Sequence, residues 1–187
     1  MYALLTAAYL CITLVSALKI SQSAVVITSR TTQTCGDPSN VVPYYRTFST
    51  PLSDYYYTAD AALVDAVYVG TGNYALQGVA GLVFIDQEES TVPFYRLTKF
   101  EVNFFGANTT ERDIAIQQGY GLTSTDPLTY IYPTEICGAV PFYRVVNAAG
   151  QANIYTTLES ERVDFVTNQG YTDLGIAGYI LPLEGAQ

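Results

Sequence analysis

Apolar and polar positions alternate in short bursts along this chain, and one burst occurs three times: Val42-Pro43-Tyr44-Tyr45-Arg46, Val92-Pro93-Phe94-Tyr95-Arg96 and Val140-Pro141-Phe142-Tyr143-Arg144. Each is followed by a variable stretch, with turn or polar residues such as Ser53-Asp54 and Ala148-Ala149-Gly150. An aromatic run comes next: Tyr55-Tyr56-Tyr57-Thr58, Asn103-Phe104-Phe105-Gly106 and Asn153-Ile154-Tyr155-Thr156. Helix-like windows then cover 63–69, 111–118 and 161–169. Two adjacent apolar positions recur in them (Val67-Tyr68, Ala115-Ile116, Phe165-Val166), which predicts short helices lying on a sheet. Asn108 with Glu111 three residues later resembles a capping box, and Asp60 and Thr157 are the expected caps of the other two windows. Gly72, Gly119 and Gly170 stop the windows, because glycine tolerates the left-handed conformation that ends a helix. A closing apolar run ends the first and third units at 78–84 and 175–181; over 124–132 it is degenerate.

The repeated prolines stand 50 and 48 residues apart. Recurrence at this period marks a repeat architecture, in which one supersecondary unit is copied. The expected fold is therefore α+β and β-rich, with three strand–strand–helix–strand repeats in a pseudo-threefold, small propeller-like arrangement. The expected organisation is a signal peptide at 1–17, an N-terminal arm at 18–40 and a single domain at 41–187, divided into repeats 41–90, 91–138 and 139–187. The β-branched stretch Val25-Val26-Ile27-Thr28 is expected to add a strand that closes the ring.

The motifs P-[FY]-Y-R, the aromatic run, Glu161-Arg162 with its counterpart Glu111-Arg112, and Gly175-Ile176-Ala177-Gly178-Tyr179 resemble a repeat family of secreted fungal and bacterial proteins whose function is uncharacterised. The resemblance covers about 41–183. It implies a domain found alone or beside secreted hydrolases. The histidine that opens the aromatic run in that family is replaced here by Tyr55, Asn103 and Asn153, so any site built on it is absent. The middle copy also lacks the G-[IV]-A-G signature.

The stretch 4–18 is apolar and too short to span a bilayer, and Val15-Ser16-Ala17 supplies the small residues of a cleavage site after Ala17. Cleavage after Ser23 or Ala24, or an uncleaved anchor, are the alternatives. Loss of Cys11 with the signal would leave Cys35 and Cys137, which in a secreted chain are expected to form one disulfide. An extracellular protein without membrane insertion follows. The 17 acids against 8 bases, a net charge of −9, argue against nucleic acid, whose phosphates need Lys and Arg.

The chain contains no histidine, so Ser-His-Asp, Cys-His and His-ligated zinc chemistry are excluded. No phosphate loop or dinucleotide fingerprint occurs, and neither a cofactor nor a metal is expected. Carboxylates remain, among them Glu88-Glu89, Glu159 and Glu161, but acid neighbours on a loop are usually solvated, and no enzyme activity is expected. Arg46, Arg96 and Arg144 with Glu111 and Glu161 are read as structural ion pairs holding each unit together; Arg46, whose own window has Leu63, would turn to a partner such as Asp65. Seventeen tyrosines and no tryptophan suit a sugar- or protein-binding surface, since a tyrosine is a rigid apolar ring with a polar end. Tyr45, Tyr95 and Tyr143, beside Asp54, Asn103 and Asn153, are the candidate ligand residues, with backbone-bound turn residues as the competing reading. Asn108-Thr109-Thr110 is the N-glycosylation sequon. The expected function is a secreted, lectin-like glycan-binding protein with up to three weak sites. A protein-interaction or structural module is the alternative, and a small secreted hydrolase comes third.

Overall fold

The computed structural model describes residues 34–69, 72–123, 129–149 and 152–183; for 67–69 it describes the backbone only. The predicted signal at 1–17, the strand at 25–28 and the side chains of Val67 and Tyr68 lie outside what is described. The elements follow as β1 (Val41–Ser49), β2 (Asp54–Thr58), α1 (Ala61–Val69), β3 (Tyr74–Phe84), β4 (Val92–Lys99), β5 (Val102–Gly106), α2 (Thr109–Gln117), β6 (Gly121–Leu122), β7 (Thr129–Ile131), β8 (Val140–Val146), β9 (Asn153–Thr156), α3 (Glu159–Asn168) and β10 (Thr172–Ile180). Among the described residues the fold is β-rich, with antiparallel sheets and three α-helices. One sheet has the order β2-β1-β3-β7-β4-β5, with β6 beside β4, and the other has the order β10-β8-β9.

Each V-P-aromatic-Tyr-Arg segment opens the first strand of a hairpin. Its proline costs no ladder bond where it sits near the strand start. Helices α2 and α3 each begin two residues ahead of the predicted windows, and their apolar pairs divide: Ala115 and Phe165 are buried, while Ile116 is exposed and Val166 half-buried. Asn108 caps α2 through Oδ1, which accepts from the N–H groups of Thr110 at 2.8 Å and Glu111 at 3.3 Å. Asp60 serves α1 in the same way, accepting from Ala62 N–H at 2.8 Å. The expected cap Thr157 is not used. Helix α3 starts after Leu158, which has no capping side chain, and the Leu158 N–H donates to Thr156 Oγ1 at 3.0 Å.

The closing strands meet one another. Phe84 of β3 pairs with Tyr130 of β7, Tyr132 bridges Tyr179 of β10, and Leu181 bridges Leu82 of β3. In each pair the last residue of one closing run meets the residue two positions before the end of the next, so the three runs pair first to second, second to third and third back to first. Gly81 and Gly178 lie at these junctions. A Cβ on Gly81 would collide with Ile180, and one on Gly178 with Ile131. At the corresponding place in the third junction the chain has Thr129, and the apolar residue it would face is the smaller Val83. The Thr129 hydroxyl hydrogen-bonds Tyr44, which stands where the other segments have Phe94 and Phe142.

Two triangles of aromatic rings fill the centre. Tyr44, Phe94 and Phe142 form one, with centroids 6.3, 6.4 and 6.0 Å apart. Tyr57, Phe105 and Tyr155 form the other at 5.5, 5.5 and 5.7 Å, in edge-to-face geometry that suits the ring quadrupoles. In the second triangle each tyrosine hydroxyl serves the backbone of its neighbour. Tyr57 OH accepts from Tyr155 N–H at 2.8 Å and donates to its carbonyl at 2.9 Å; Tyr155 OH accepts from Phe105 N–H at 2.9 Å and donates to its carbonyl at 2.7 Å. Removing one hydroxyl strands a buried donor and a buried acceptor. Tyr155→Phe is therefore expected to cost about 2–4 kcal/mol, read as a lower denaturant midpoint at unchanged m-value. A loss under about 0.5 kcal/mol would contradict this account.

Candidate functional site

The polar residues expected to meet a ligand face inward. Asp54, Asn103 and Asn153 are 0%, 3% and 2% exposed, so their hydrogen-bonding capacity serves the protein itself. The Asp54 carboxylate accepts from Asn103 N–H at 3.1 Å, from Asn103 Nδ2 at 2.5 Å and from Tyr74 OH at 2.7 Å. Asn153 Nδ2 donates to the Asn103 carbonyl at 3.0 Å. Arg96 Nε donates to Asn103 Oδ1 at 2.9 Å, and Arg144 reaches Asn153 Oδ1 through Nε at 3.1 Å and Nη2 at 2.9 Å. Burial raises the Asp54 carboxyl above the ordinary aspartate value, although the hydrogen bonds from Tyr74 and Asn103 pull the other way.

The three tyrosines behave differently. The guanidinium of Arg112 lies 4.7 Å from the Tyr95 ring centre, and that of Arg162 lies 5.1 Å from the Tyr143 ring centre. Helix α1 carries Val64 at the matching position, and among the described residues no cation covers Tyr45. Arg162 is itself held by Glu159 and Asp173. Two of the three aromatic faces proposed for a sugar are thus already occupied by arginine.

The ion pairs join neighbouring units, contrary to the expectation of pairing within a unit. Arg46 reaches Glu161 of α3 at 3.0 Å, and Arg144 reaches Glu111 of α2 at 3.8 Å. Arg46 accordingly has Glu161 where Asp65 was expected. By the same progression Arg96 would face Leu63; it bonds Asn103 and lies 4.4 Å over the Tyr56 ring. A pair shared across a seam follows from equivalence of position, which says nothing about which copy lies alongside.

Concave surface lies at the other end of the hairpins, where the N-terminal arm crosses the fold. Cys35 and Cys137 are disulfide-bonded, with sulfurs 2.08 Å apart. Gly36 N–H donates to Tyr132 OH at 3.0 Å, and Glu88 accepts from Asp37 N–H at 3.1 Å and Asn40 Nδ2 at 2.6 Å. Asp37 Oδ1 caps the 3-10 turn Pro38–Asn40 by accepting from Ser39 N–H at 2.9 Å. Between this arm and the β1–β3 pair opens a cavity of about 290 Å³ lined by Ser39, Asn40, Val41, Val42, Ile85 and Asp86. A second, of about 340 Å³, lies over the next stretch of the same loop, 87–91. Of the carboxylates considered for catalysis, Glu88 holds the arm, Glu89 accepts from Thr34 Oγ1 at 3.2 Å, and Glu159 and Glu161 are paired with arginines.

Sequence reasoning passed over this cavity. Its signals were a turn-forming Asp37-Pro38-Ser39-Asn40 just before the first repeat and an exposed Ile85-Asp86 just after β3. A family model described as a domain of unknown function (DUF5648) matches residues 43–181. No curated protein and no solved structure matches the chain.

Proposed function

The chain belongs to the DUF5648 family, a domain of unknown function, and with no activity inherited from it we propose a reading from the surface: a secreted, non-catalytic, lectin-like module that binds glycans in the arm cavity. The observation that carries it is the lining of the 290 Å³ cavity. Ser39, Asn40 and Asp86 contribute hydroxyl, amide and carboxylate groups to this lining, and Val41, Val42 and Ile85 contribute apolar surface. A pyranose has polar edges and apolar ring faces, and a pocket with a few polar groups on an apolar wall suits it. The second cavity, over 87–91, would take the next sugar of an oligosaccharide. Secretion is supported by the disulfide and by the apolar stretch at 4–18. Among the described residues no helix is long and apolar enough to cross a membrane.

The three units are best read as a pseudo-threefold, propeller-like ring, a reading supported by the cyclic pairing of the closing strands and by the two aromatic triangles. On this reading the inner polar and aromatic residues hold the ring together. The arm occurs once, so the reading has one site in place of three. A glycan array of the secreted protein tests it. Asp86→Ala, at an exposed residue, should weaken binding at least tenfold while leaving the fold intact. A flat array, or binding indifferent to Asp86 and Ser39, would remove the proposal.

A second reading, a protein-interaction module, rests on Phe100. This residue is 91% exposed at the tip of the β4–β5 hairpin. Phe100 and Glu101 have φ of 49° and 67°, a turn that ordinarily takes Asn-Gly. A flat array together with a captured partner lost on Phe100→Ser would favour it. Turnover abolished by changing one glutamate would favour the hydrolase.

A further inference from the structure

The cap of α2 and the sequon share one side chain, and the two uses fall on different atoms. Asn108 Oδ1 takes both cap hydrogen bonds, from Thr110 N–H at 2.8 Å and Glu111 N–H at 3.3 Å. Among the described hydrogen bonds none uses Asn108 Nδ2, and Asn108, Thr109 and Thr110 are all exposed. A carboxamide fixed through its oxygen on the helix N–H groups must aim its nitrogen away from them. We infer that Asn108 carries an N-linked glycan on Nδ2 while Oδ1 continues to cap α2. An N-glycosyl amide keeps its carbonyl oxygen as an acceptor, so modification costs the helix nothing.

The step requires a lipid-diphosphate-linked oligosaccharide as donor. Nδ2 forms a bond to the anomeric carbon, the bond from that carbon to the diphosphate oxygen breaks, the lipid diphosphate leaves with the electron pair, and one Nδ2 proton passes to base. Thr110 supplies the hydroxyl that the acceptor sequence needs two residues on. The site also leaves the hairpin tips clear. Lys99, at the base of the Phe100 turn, donates to the carbonyl of Gln118 past the C-terminal end of α2, whereas Asn108 stands at the N-terminal end. This inference does not depend on the proposed sugar pocket.

The test is expression of the full chain behind a yeast secretion leader, followed by peptide N-glycosidase digestion of the secreted and cell-retained fractions. Wild type should lose one glycan, with residue 108 of the released peptide read as Asp. Thr110→Ala should lose the modification and keep the unfolding midpoint, because its N–H still donates to Asn108. An unmodified Asn108 in both fractions would overturn the site. The shared use has its own control: Asn108→Asp keeps a cap without a glycan, and Asn108→Ala has neither and should melt lower. Glycosylated wild type melting with Asn108→Ala, below Asn108→Asp, would overturn the claim that cap and glycan coexist.

Discussion

Replacing Cys35 and Cys137 together with Ser is expected to lower the free energy of unfolding by up to about 4–5 kcal/mol, the chain-entropy limit for a loop of this size. The two residues are 102 apart in sequence, so the reduced unfolded chain gains nearly all the freedom that the bridge removes. The arm would then rely on the buried bond of Gly36 to Tyr132 and on exposed bonds of Asp37 and Asn40 to Glu88 and of Thr34 to Glu89 and Ser90. Chemical denaturation of the double variant, with thiol titration of the unreduced wild type, measures the effect. Two titratable thiols in the wild type, or an unchanged midpoint in the variant, would contradict it. Because Ser39 and Asn40 belong to the same arm, the glycan binding proposed for its cavity should weaken along with stability.

The second large effect is expected at Asp54. Asp54→Ala leaves the Asn103 N–H, the Asn103 amide and the Tyr74 hydroxyl without their acceptor in a fully buried place. A loss of about 3–5 kcal/mol follows, because each buried donor left without an acceptor costs about 1–3 kcal/mol. Asp54→Asn should cost less, since it keeps the volume and one acceptor oxygen. The two variants also separate a pH effect. The folded carboxyl is raised above an unfolded value of about 3.9, so the folded state binds the proton more tightly. The resulting stabilisation is complete below about pH 4, fades as pH rises through the folded value, and is absent above it. Wild type minus Asp54→Asn should therefore show stability falling with pH across that window. A difference that is flat or rises with pH would refute the raising of the Asp54 carboxyl by burial.

The elements were legible because they follow from local rules. Alternating apolar positions after each Val-Pro predict hairpin strands, Asn108 and Asp60 announce helix starts, and the two cysteines announce their bond. Side chains at the seams were not. Asn103 beside two phenylalanines reads equally as a sugar contact or as a buried link to Asp54, and only the neighbouring strand decides. Arg46 and Glu161 lie in different copies, and a repeat tells which positions correspond without telling which lie side by side. Thr157 failed as a cap because α3 starts at Glu159, which puts Leu158 in the cap position, and the Thr157 hydroxyl donates to the Ala80 carbonyl. The cavity escaped because its polar groups come from Ser39 and Asn40, in a turn outside the repeat, and from Asp86 just beyond β3, none of which belongs to a recurring motif.

The bridge from Leu181 back to Leu82 has a bearing on synthesis. β10 is the last strand of the matched domain, yet it completes contacts begun by β3 and β7. A nascent chain extended as far as β9 still lacks Ile180, the side chain packed against Gly81. It also lacks Tyr179, the bridging partner of Tyr132. Vectorial folding can thus build the hairpins one at a time as they leave the ribosome, but the central apolar faces stay incomplete until the final strand emerges. Contacts this distant in sequence form slowly, and the interval in which the open faces meet other chains is set by translation rather than by the fold itself.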